Sequence, residues 1–325
     1  MIFPWQNGLW ERLRAYQARQ PHALLIHGPA GIGKFALAEH FAQSLLCESP
    51  DPARAPCGEC ESCHWFAAGS HPDFRLVEPE SLSLRLEDGE DLDEPAPSTG
   101  KTAKPSTEIK VDQVRALEGF LNLKSHRGGR RVALVHPAED LNPSAANALL
   151  KGLEEPPSGA LFLLVSHRPA KLPATIRSRC VAVPVPLPEP GASAAWLAQQ
   201  GAKDAAPWLA YAAGAPLLAL RYSQDSGEAL ARLREALRAG DRGALGAVSD
   251  RDQLEALAEV LHKHALDVAF ASYCGAPKYG RAQASGNAIA WLRYARTAGR
   301  NRALARRPLN PRLFAGEMVG GMPEK

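Results

Sequence analysis

The stretch ALLIHGPAGIGKF, residues 23–35, decides the fold of this 325-residue chain. Its first five residues form an apolar run that is typical of a buried parallel strand. A glycine-rich segment follows and ends at Lys34, after which apolar residues recur with helical spacing. Strand, glycine-rich loop and helix in this order predict a phosphate-binding loop, in which Gly28, Gly31, Gly33 and Lys34 would hold the phosphates of a nucleotide.

The residue after that lysine argues against hydrolysis at this loop. The pattern G-x-x-x-x-G-K is normally followed by Ser or Thr, whose hydroxyl binds magnesium, but here Phe35 takes the position. A second apolar strand, RVALV at 131–135, ends in His136 where an acidic pair should hold the metal. We therefore expect no Mg²⁺ at this site, weak or no nucleotide binding, and no significant ATP hydrolysis.

Four of the six cysteines follow this loop within seventeen residues: Cys47, Cys57, Cys60 and Cys63. Their C-x9-C-x2-C-x2-C spacing lets four thiolates converge on one tetrahedral Zn²⁺. His64 and His71 could compete as ligands. Because four thiolates fill the tetrahedron and leave no position for water, the sequence predicts a structural zinc rather than a catalytic one.

Length and charge set broader limits on the chain. Its 325 residues exceed the roughly 100–200 of one domain, so two or three domains are expected. The N-terminus lacks a signal-peptide pattern and no apolar run of about 20 residues occurs, which favours a cytoplasmic protein without a membrane segment. The net charge is only +3. The basic segment from Lys278 onward could face DNA phosphates, an acidic partner or solvent.

Two further regions have distinct compositions. Residues 87–107 are acidic and then rich in Ser, Thr, Gly and Pro, which predicts a mobile surface insertion. In residues 223–325, leucines recur at helical spacing and Trp291 begins another amphipathic pattern, so this part should be all-helical.

The most specific motifs lie in the middle of the chain. Residues 142–157 read NPSAANALLKGLEEPP, and residues 172–180 read LPATIRSRC. With the four cysteines, these stretches closely resemble the bacterial DNA polymerase III clamp-loader subunits of the AAA+ ATPase superfamily. The resemblance implies an α/β fold of three domains: an AAA+ P-loop domain with a parallel sheet and a zinc module (47–63) over 1–170, a small helical lid over 171–222, and a helical collar over 223–325.

Departures from the family pattern indicate which kind of subunit the chain resembles. Phe35 and His136 replace magnesium ligands, and Leu217 stands where the family's second sensor carries a basic residue. The chain is thus similar to a subunit whose own ATP site is degenerate. Such a subunit has no polymerase or ATPase chemistry of its own, although it belongs to a polymerase holoenzyme.

Arg179, in the S-R-C motif, matches the arginine that clamp-loader subunits insert into the ATP site of a neighbour. The resemblance implies that it acts in trans as an arginine finger. Arg177 is the poorer candidate, for which we expect a local ion pair. The implied partners are gamma or tau motor subunits and a delta subunit in a heteropentamer, a sliding clamp, and primed DNA reached through the complex.

Two alternatives belong to other functional classes. One is an active AAA+ motor subunit, which would have to tolerate Phe35 and His136. The other is a zinc-dependent nucleic-acid-binding module, against which the small net charge argues.

Some residues outside these motifs also carry expectations. Trp5 would cover the core or close over the loop, and Ser166 and His167 would serve packing at the first-sensor position. Cys180 and Cys274 are expected to be buried apolar thiols.

Overall fold

The computed structural model describes residues 2–19, 21–87, 105–126, 129–202, 204–224, 227–280, 286–305 and 309–323. The chain forms two compact units, Met1–Glu189 and Pro190–Lys325. The predicted insertion at 87–107 falls largely outside the described residues. No helix within the described ranges has the length and apolar character needed to cross a bilayer.

The first unit is built from alternating strands and helices. Its five strands are β1 (Ala23–His27), β2 (Phe74–Val77), β3 (Arg131–Val135), β4 (Ala160–Ser166) and β5 (Val181–Pro184). Its helices are α1 (Asn7–Arg19), α2 (Lys34–Leu46), α3 (Glu61–Ala67), α4 (Glu80–Glu87), α5 (Val111–Asn122), α6 (Pro143–Glu154) and α7 (Ala174–Arg179).

The strands form one parallel sheet in the order β2-β3-β4-β1-β5. β3 and β4 are buried along their whole length, as expected for strands covered on both faces. One face packs against α5, α6 and α7 through a continuous apolar core. Alternate residues point to the other face, where α2 contacts β1, β3 and β4.

Strand β5 continues the sheet beyond residue 170, where the sequence suggested the start of a helical lid. It pairs with β1 in the register Leu25↔Ala182, and Val183 is the buried residue of this edge strand. The first compact unit accordingly extends to Glu189. The division of the remaining chain into lid and collar stays a prediction.

The second unit is entirely helical among its described residues. Its helices are α8 (Pro190–Gln199), α9 (Ala205–Tyr211), α10 (Pro216–Gln224), α11 (Gly227–Ala239), α12 (Arg242–Gly246), α13 (Arg251–Cys274), α14 (Ala288–Leu304) and α15 (Pro311–Gly320). The long α13 is capped by the Asp250 carboxylate and ends at Gly275 in the left-handed conformation. It packs against α14 through buried leucines and Trp291.

Candidate functional site

The phosphate loop has the conformation that its glycines predict. Gly28, Gly31 and Gly33 all have positive φ angles, and α2 begins directly after them at Lys34. A β-carbon on Gly28 would lie 2.2 Å from the carbonyl oxygen of Val185. Only glycine therefore fits where the loop leaves β1 and passes the end of β5.

The first residues of the chain lie directly on this loop. The Gln6 side-chain amide donates to the carbonyls of Ile32 and Gly33 at 3.1 and 2.9 Å, and the Trp5 indole donates to Ile32 at 3.1 Å. The Phe3 ring stacks on Trp5 and lies so close to Gly33 that a β-carbon there would be 2.4 Å from it. Phe3, Trp5 and Gln6 form an N-terminal clamp that fixes the loop from outside.

The loop lysine is directed to the loop itself. Lys34 is 2% exposed, and its ammonium donates to the carbonyl of Pro29, five residues earlier. Burial lowers its pKa to about 8, against the opposing effect of the Glu139 carboxylate. The Lys34 ammonium, which would contact a terminal phosphate, is thus partly desolvated and bonded to a backbone oxygen.

Three rings occupy the region where magnesium ligands would be expected. The Phe35 ring centroid lies 4.7 Å from that of His136, and His136 Nε2 lies 3.2 Å from His167 Nε2. Burial lowers the pKa of each histidine to about 4, so both imidazoles are neutral at pH 7, and one must donate to the other. None of these rings provides the oxygen ligands that Mg²⁺ prefers. We call this set the Phe35–His136–His167 cluster.

The acidic residue nearest the cluster is already engaged. Both oxygens of Glu139 accept the backbone N–H of His167 at 3.1 Å, and Arg168 Nε lies 3.6 Å from the same carboxylate. Glu139 therefore holds the end of β4 in place.

The contact between the two histidines was missed at the sequence level, where His167 was given only a packing role. The adjacency of the two strands, which the structure shows, explains this contact. β3 and β4 are adjacent and parallel, with Val135 opposite Leu164, so the residues that follow their carboxyl ends meet at one edge.

Arg179 is the last residue of α7, and its side chain is partly exposed. Its guanidinium pairs with Glu154 at 2.6 Å and donates to the carbonyl of Thr175 at 2.9 Å, while about a third of the side chain remains exposed. Arg177 is exposed and forms no ion pair with any described residue, so the local ion pair expected for it is absent there. Within this chain, Arg179 is the paired arginine of the two.

The four predicted zinc ligands converge between the end of α2 and the start of α3. The sulfur atoms of Cys47, Cys57, Cys60 and Cys63 all lie within 4.8 Å of one another. Cys47 Sγ is 3.6 Å from Cys57 Sγ and 4.0 Å from Cys60 Sγ. A tetrahedral zinc with bonds of about 2.3 Å requires sulfur separations of about 3.8 Å, so the cluster can hold one such metal ion.

Backbone N–H groups donate to several of these sulfurs, while burial raises the pKa of the Cys47 and Cys63 thiols. The amides of Glu59 and Cys60 donate to Cys57 at 3.5 and 3.4 Å and lower the pKa of its thiol to about 6. The histidines that could compete do not join the cluster. His71 is buried and binds Ser62 Oγ at 2.8 Å, and His64 is exposed.

The remaining cysteines differ from each other. Cys180 is half-buried, but Cys274 is exposed, so the prediction of a buried thiol is wrong there. Cys274 is the last residue of α13, where the helix ends at Gly275 and no further turn covers it.

Comparison with known proteins gives the family. The family model described as "DNA polymerase III, delta subunit" matches residues 6–188. The delta-prime subunit of DNA polymerase III from Yersinia pestis is 34% identical over 275 residues, covering 82% of this chain and 72% of that protein. This chain belongs to the bacterial DNA polymerase III delta-prime family. The delta-prime subunit from Pseudomonas aeruginosa is 46% identical over 224 residues, 68% of this chain, and the match spans about three fifths (61%) of that relative.

A solved structure supports the fold of this delta-prime family member. A DNA polymerase III gamma subunit-related protein from Thermotoga maritima superposes with a TM-score of 0.52 at 17% identity, covering 96% of this chain and 97% of that one. The α/β fold predicted from the sequence, with its parallel sheet and cysteine cluster, is confirmed.

Proposed function

We propose that this chain is a clamp-loader subunit that serves DNA replication without hydrolysing ATP at its own loop. It packs beside a gamma- or tau-type motor subunit in a heteropentamer with a delta subunit. It supplies Arg179 to that neighbour's ATP and helps place a sliding clamp on primed DNA. The delta-prime names of its relatives and the S-R-C motif support this assignment.

The proposal that this chain does not hydrolyse ATP rests on the Phe35–His136–His167 cluster. ATP hydrolysis needs a cation to neutralise charge that develops on the transferred phosphoryl group. In this chain the Phe35 ring stands where a hydroxyl ligand is expected, and the neutral His136 imidazole stands where a carboxylate is expected. The two rings are in contact. Lys34 alone, held by a backbone carbonyl, does not replace that cation.

The proposal that Arg179 acts at the ATP site of a neighbouring subunit rests on its charge and its exposure. Its guanidinium is always charged and can bind phosphate oxygens in a bidentate manner. In the isolated chain its partner is Glu154 on α6, itself half-exposed, so the pair is open to solvent. An exposed ion pair of this kind contributes only about 0–1 kcal/mol, so exchanging Glu154 for a γ-phosphate is energetically accessible.

The cysteine cluster has a structural role in this proposal. Cys47 directly follows α2, the helix that begins at the phosphate loop, and Cys60 and Cys63 belong to the first turn of α3. A Zn²⁺ bound by all four thiolates, Cys57 included, would tie these two helices together. It supplies no catalysis.

The test is ATP turnover by the full chain alone and after reconstitution with the motor and delta-type subunits, sliding clamp and primed DNA from the same organism. Arg179→Ala should lower turnover in the assembly on the order of a thousandfold per site that receives the arginine. Arg177→Ala is the matched control, because it removes an exposed arginine from the same helix. Lys34→Ala should have little effect, and the chain alone should be inactive.

Size-exclusion chromatography of each assembly separates a lost arginine finger from lost assembly. Turnover by the isolated chain that Lys34→Ala abolishes would make this protein a motor in its own right. Equal activity of the Arg179→Ala and Arg177→Ala assemblies would refute the trans-acting role.

A further inference from the structure

The helical second unit contains a partly open cavity of about 60 Å³ between α9, α11 and α13. The polar side chains around it come from all three helices and the segment after α13: Tyr211, Arg234, Arg238, Lys263, His264, Asp267 and Tyr279. These residues lie far in the chain from the phosphate loop and the cysteine cluster. None of them has a role in the function proposed above.

Two hydrogen-bond donors at this cavity have no acceptor among the described residues. Tyr211 is 4% exposed, and its hydroxyl has no hydrogen-bond partner within the described part of the chain. The Arg234 guanidinium lies 4.7 Å from the Tyr211 ring centroid and 5.2 Å from that of Trp208. It forms no ion pair within 4.0 Å among the described residues. Buried donors are almost always satisfied in folded proteins, so the Tyr211 hydroxyl indicates a missing acceptor. The half-buried Arg234 guanidinium beside it can donate to the same group.

The carboxylate at the cavity does not fill that role. Asp267 accepts the backbone N–H of Tyr279 at 2.5 Å, so one of its oxygens is already bonded. A β-carbon on Gly280 would lie 3.5 Å from Asp267 Oδ2 and 3.9 Å from Arg234 Nη2. The carboxylate and the guanidinium thus approach the same glycine without pairing with each other.

The Lys263 ammonium also lies at the cavity, and its two bonds leave one N–H donor unused. Lys263 is 9% exposed, and its ammonium lies 3.8 Å from the Tyr211 ring centroid. It bonds to Glu259 at 2.6 Å and to the Tyr222 hydroxyl at 3.4 Å. An ammonium carries three N–H donors, and these partners use two of them. The other two cations at the cavity have carboxylate partners, Arg238 with Glu235 and Lys263 with Glu259. Arg234 is thus the lining cation that lacks an ion pair with any described residue.

From these unused donors and the unpaired charge of Arg234, we infer that the cavity binds a small tetrahedral oxyanion of the phosphate type. Such an ion is rich in acceptor oxygens, and its negative charge complements the Arg234 guanidinium. A volume of 60 Å³ has room for roughly four water-sized groups, which suits an ion of five heavy atoms and excludes a nucleotide. The ion would connect α9, α11 and α13 at one point.

Calorimetric titration of the full chain with inorganic phosphate tests this site, with sodium chloride at equal ionic strength as the reference. The natural chain should bind phosphate saturably, and sulfate should compete. Arg234→Gln should weaken binding at least tenfold. Arg296→Gln, which removes an exposed arginine from α14, is the matched control and should bind like the natural chain.

Tyr211→Phe separates ligand binding from packing. The variant loses only a hydroxyl that has no partner in the described part of the second unit, so its melting temperature in chloride should be unchanged or higher. Its affinity for phosphate should nevertheless fall several-fold. This variant also keeps the test decisive if Arg234→Gln fails to fold.

Absence of saturable binding to the natural chain would mean that the cavity holds water only, and would overturn the inference. Equal binding by the natural chain, Arg234→Gln and Tyr211→Phe would show that phosphate binds elsewhere, with the same consequence. Neither result affects the clamp-loader proposal, because ATP turnover with Arg179→Ala is measured independently.

Discussion

Replacing His167 by Gln should make the first unit less sensitive to acid. His136 and His167 have pKa values of about 4 in the folded chain, against about 6.5 for an unperturbed histidine. A lowered pKa of this kind leaves stability intact above pH 6.5 and reduces it as the pH falls from 6.5 towards 4, since the unfolded chain then binds more protons. At pH 5 each such histidine costs about 2 kcal/mol of unfolding free energy.

Glutamine at position 167 removes one of the two neighbouring histidines whose pKa is lowered. Both rings are buried beside each other, and the charged groups facing them are Lys34, Glu139 and Arg168. The positive charges and the burial oppose protonation, while Glu139 favours it. An uncharged amide at position 167 has no proton to gain. Between pH 7.5 and 5.0, the His167→Gln chain should therefore lose about 2 kcal/mol less stability than the natural chain.

Hydrogen exchange of peptides from β3 and β4, measured across a urea series at both pH values, reports the unfolding free energy of this unit alone. His22→Gln is the control, because His22 is an exposed histidine and this variant should keep the pH response of the natural chain. Other buried histidines are common to all three proteins and cancel in the comparison. An identical loss of stability in the natural and His167→Gln chains would refute the assignment of acid sensitivity to this pair.

Two other variants test the cysteine cluster and the sheet. Cys60→Ser should reduce bound zinc, measured by atomic absorption, from about one ion per chain to well below one, and should lower the melting temperature, because three thiolates no longer close the tetrahedron. Asp73→Ala should cost about 3–5 kcal/mol in urea unfolding, because it leaves buried Arg131, 3.6 Å away, without its carboxylate. Asp112→Ala, in an exposed pair, should cost less than about 1 kcal/mol.

The sequence predicted the features that depend on local pattern. The strand, glycine loop and helix around Lys34 follow from spacing alone, and the convergence of the cysteines follows from short turns between ligands. β5 was missed because its four residues, VAVP, are too short and too exposed on three positions to show a buried-strand pattern.

The contacts that the sequence did not predict join distant segments. Phe3 and Gly33 are separated by thirty residues, and no periodicity links an N-terminal ring to a loop glycine. Tyr211 and Lys263 likewise lie on different helices, and each is an ordinary residue in its own helix. Only the tertiary arrangement brings them to one cavity.

The Phe35–His136–His167 cluster makes a magnesium site at this loop hard to build in small steps. Because the His136 ring contacts both Phe35 and His167, His136→Asp alone would set a carboxylate against a phenyl ring. Phe35→Thr alone would leave a void beside an imidazole. Each single replacement is disfavoured before any metal can bind. If the chain lacks ATP turnover, as proposed, then concerted replacement is needed to gain it, and single-site libraries built on this chain should not yield a hydrolysing subunit.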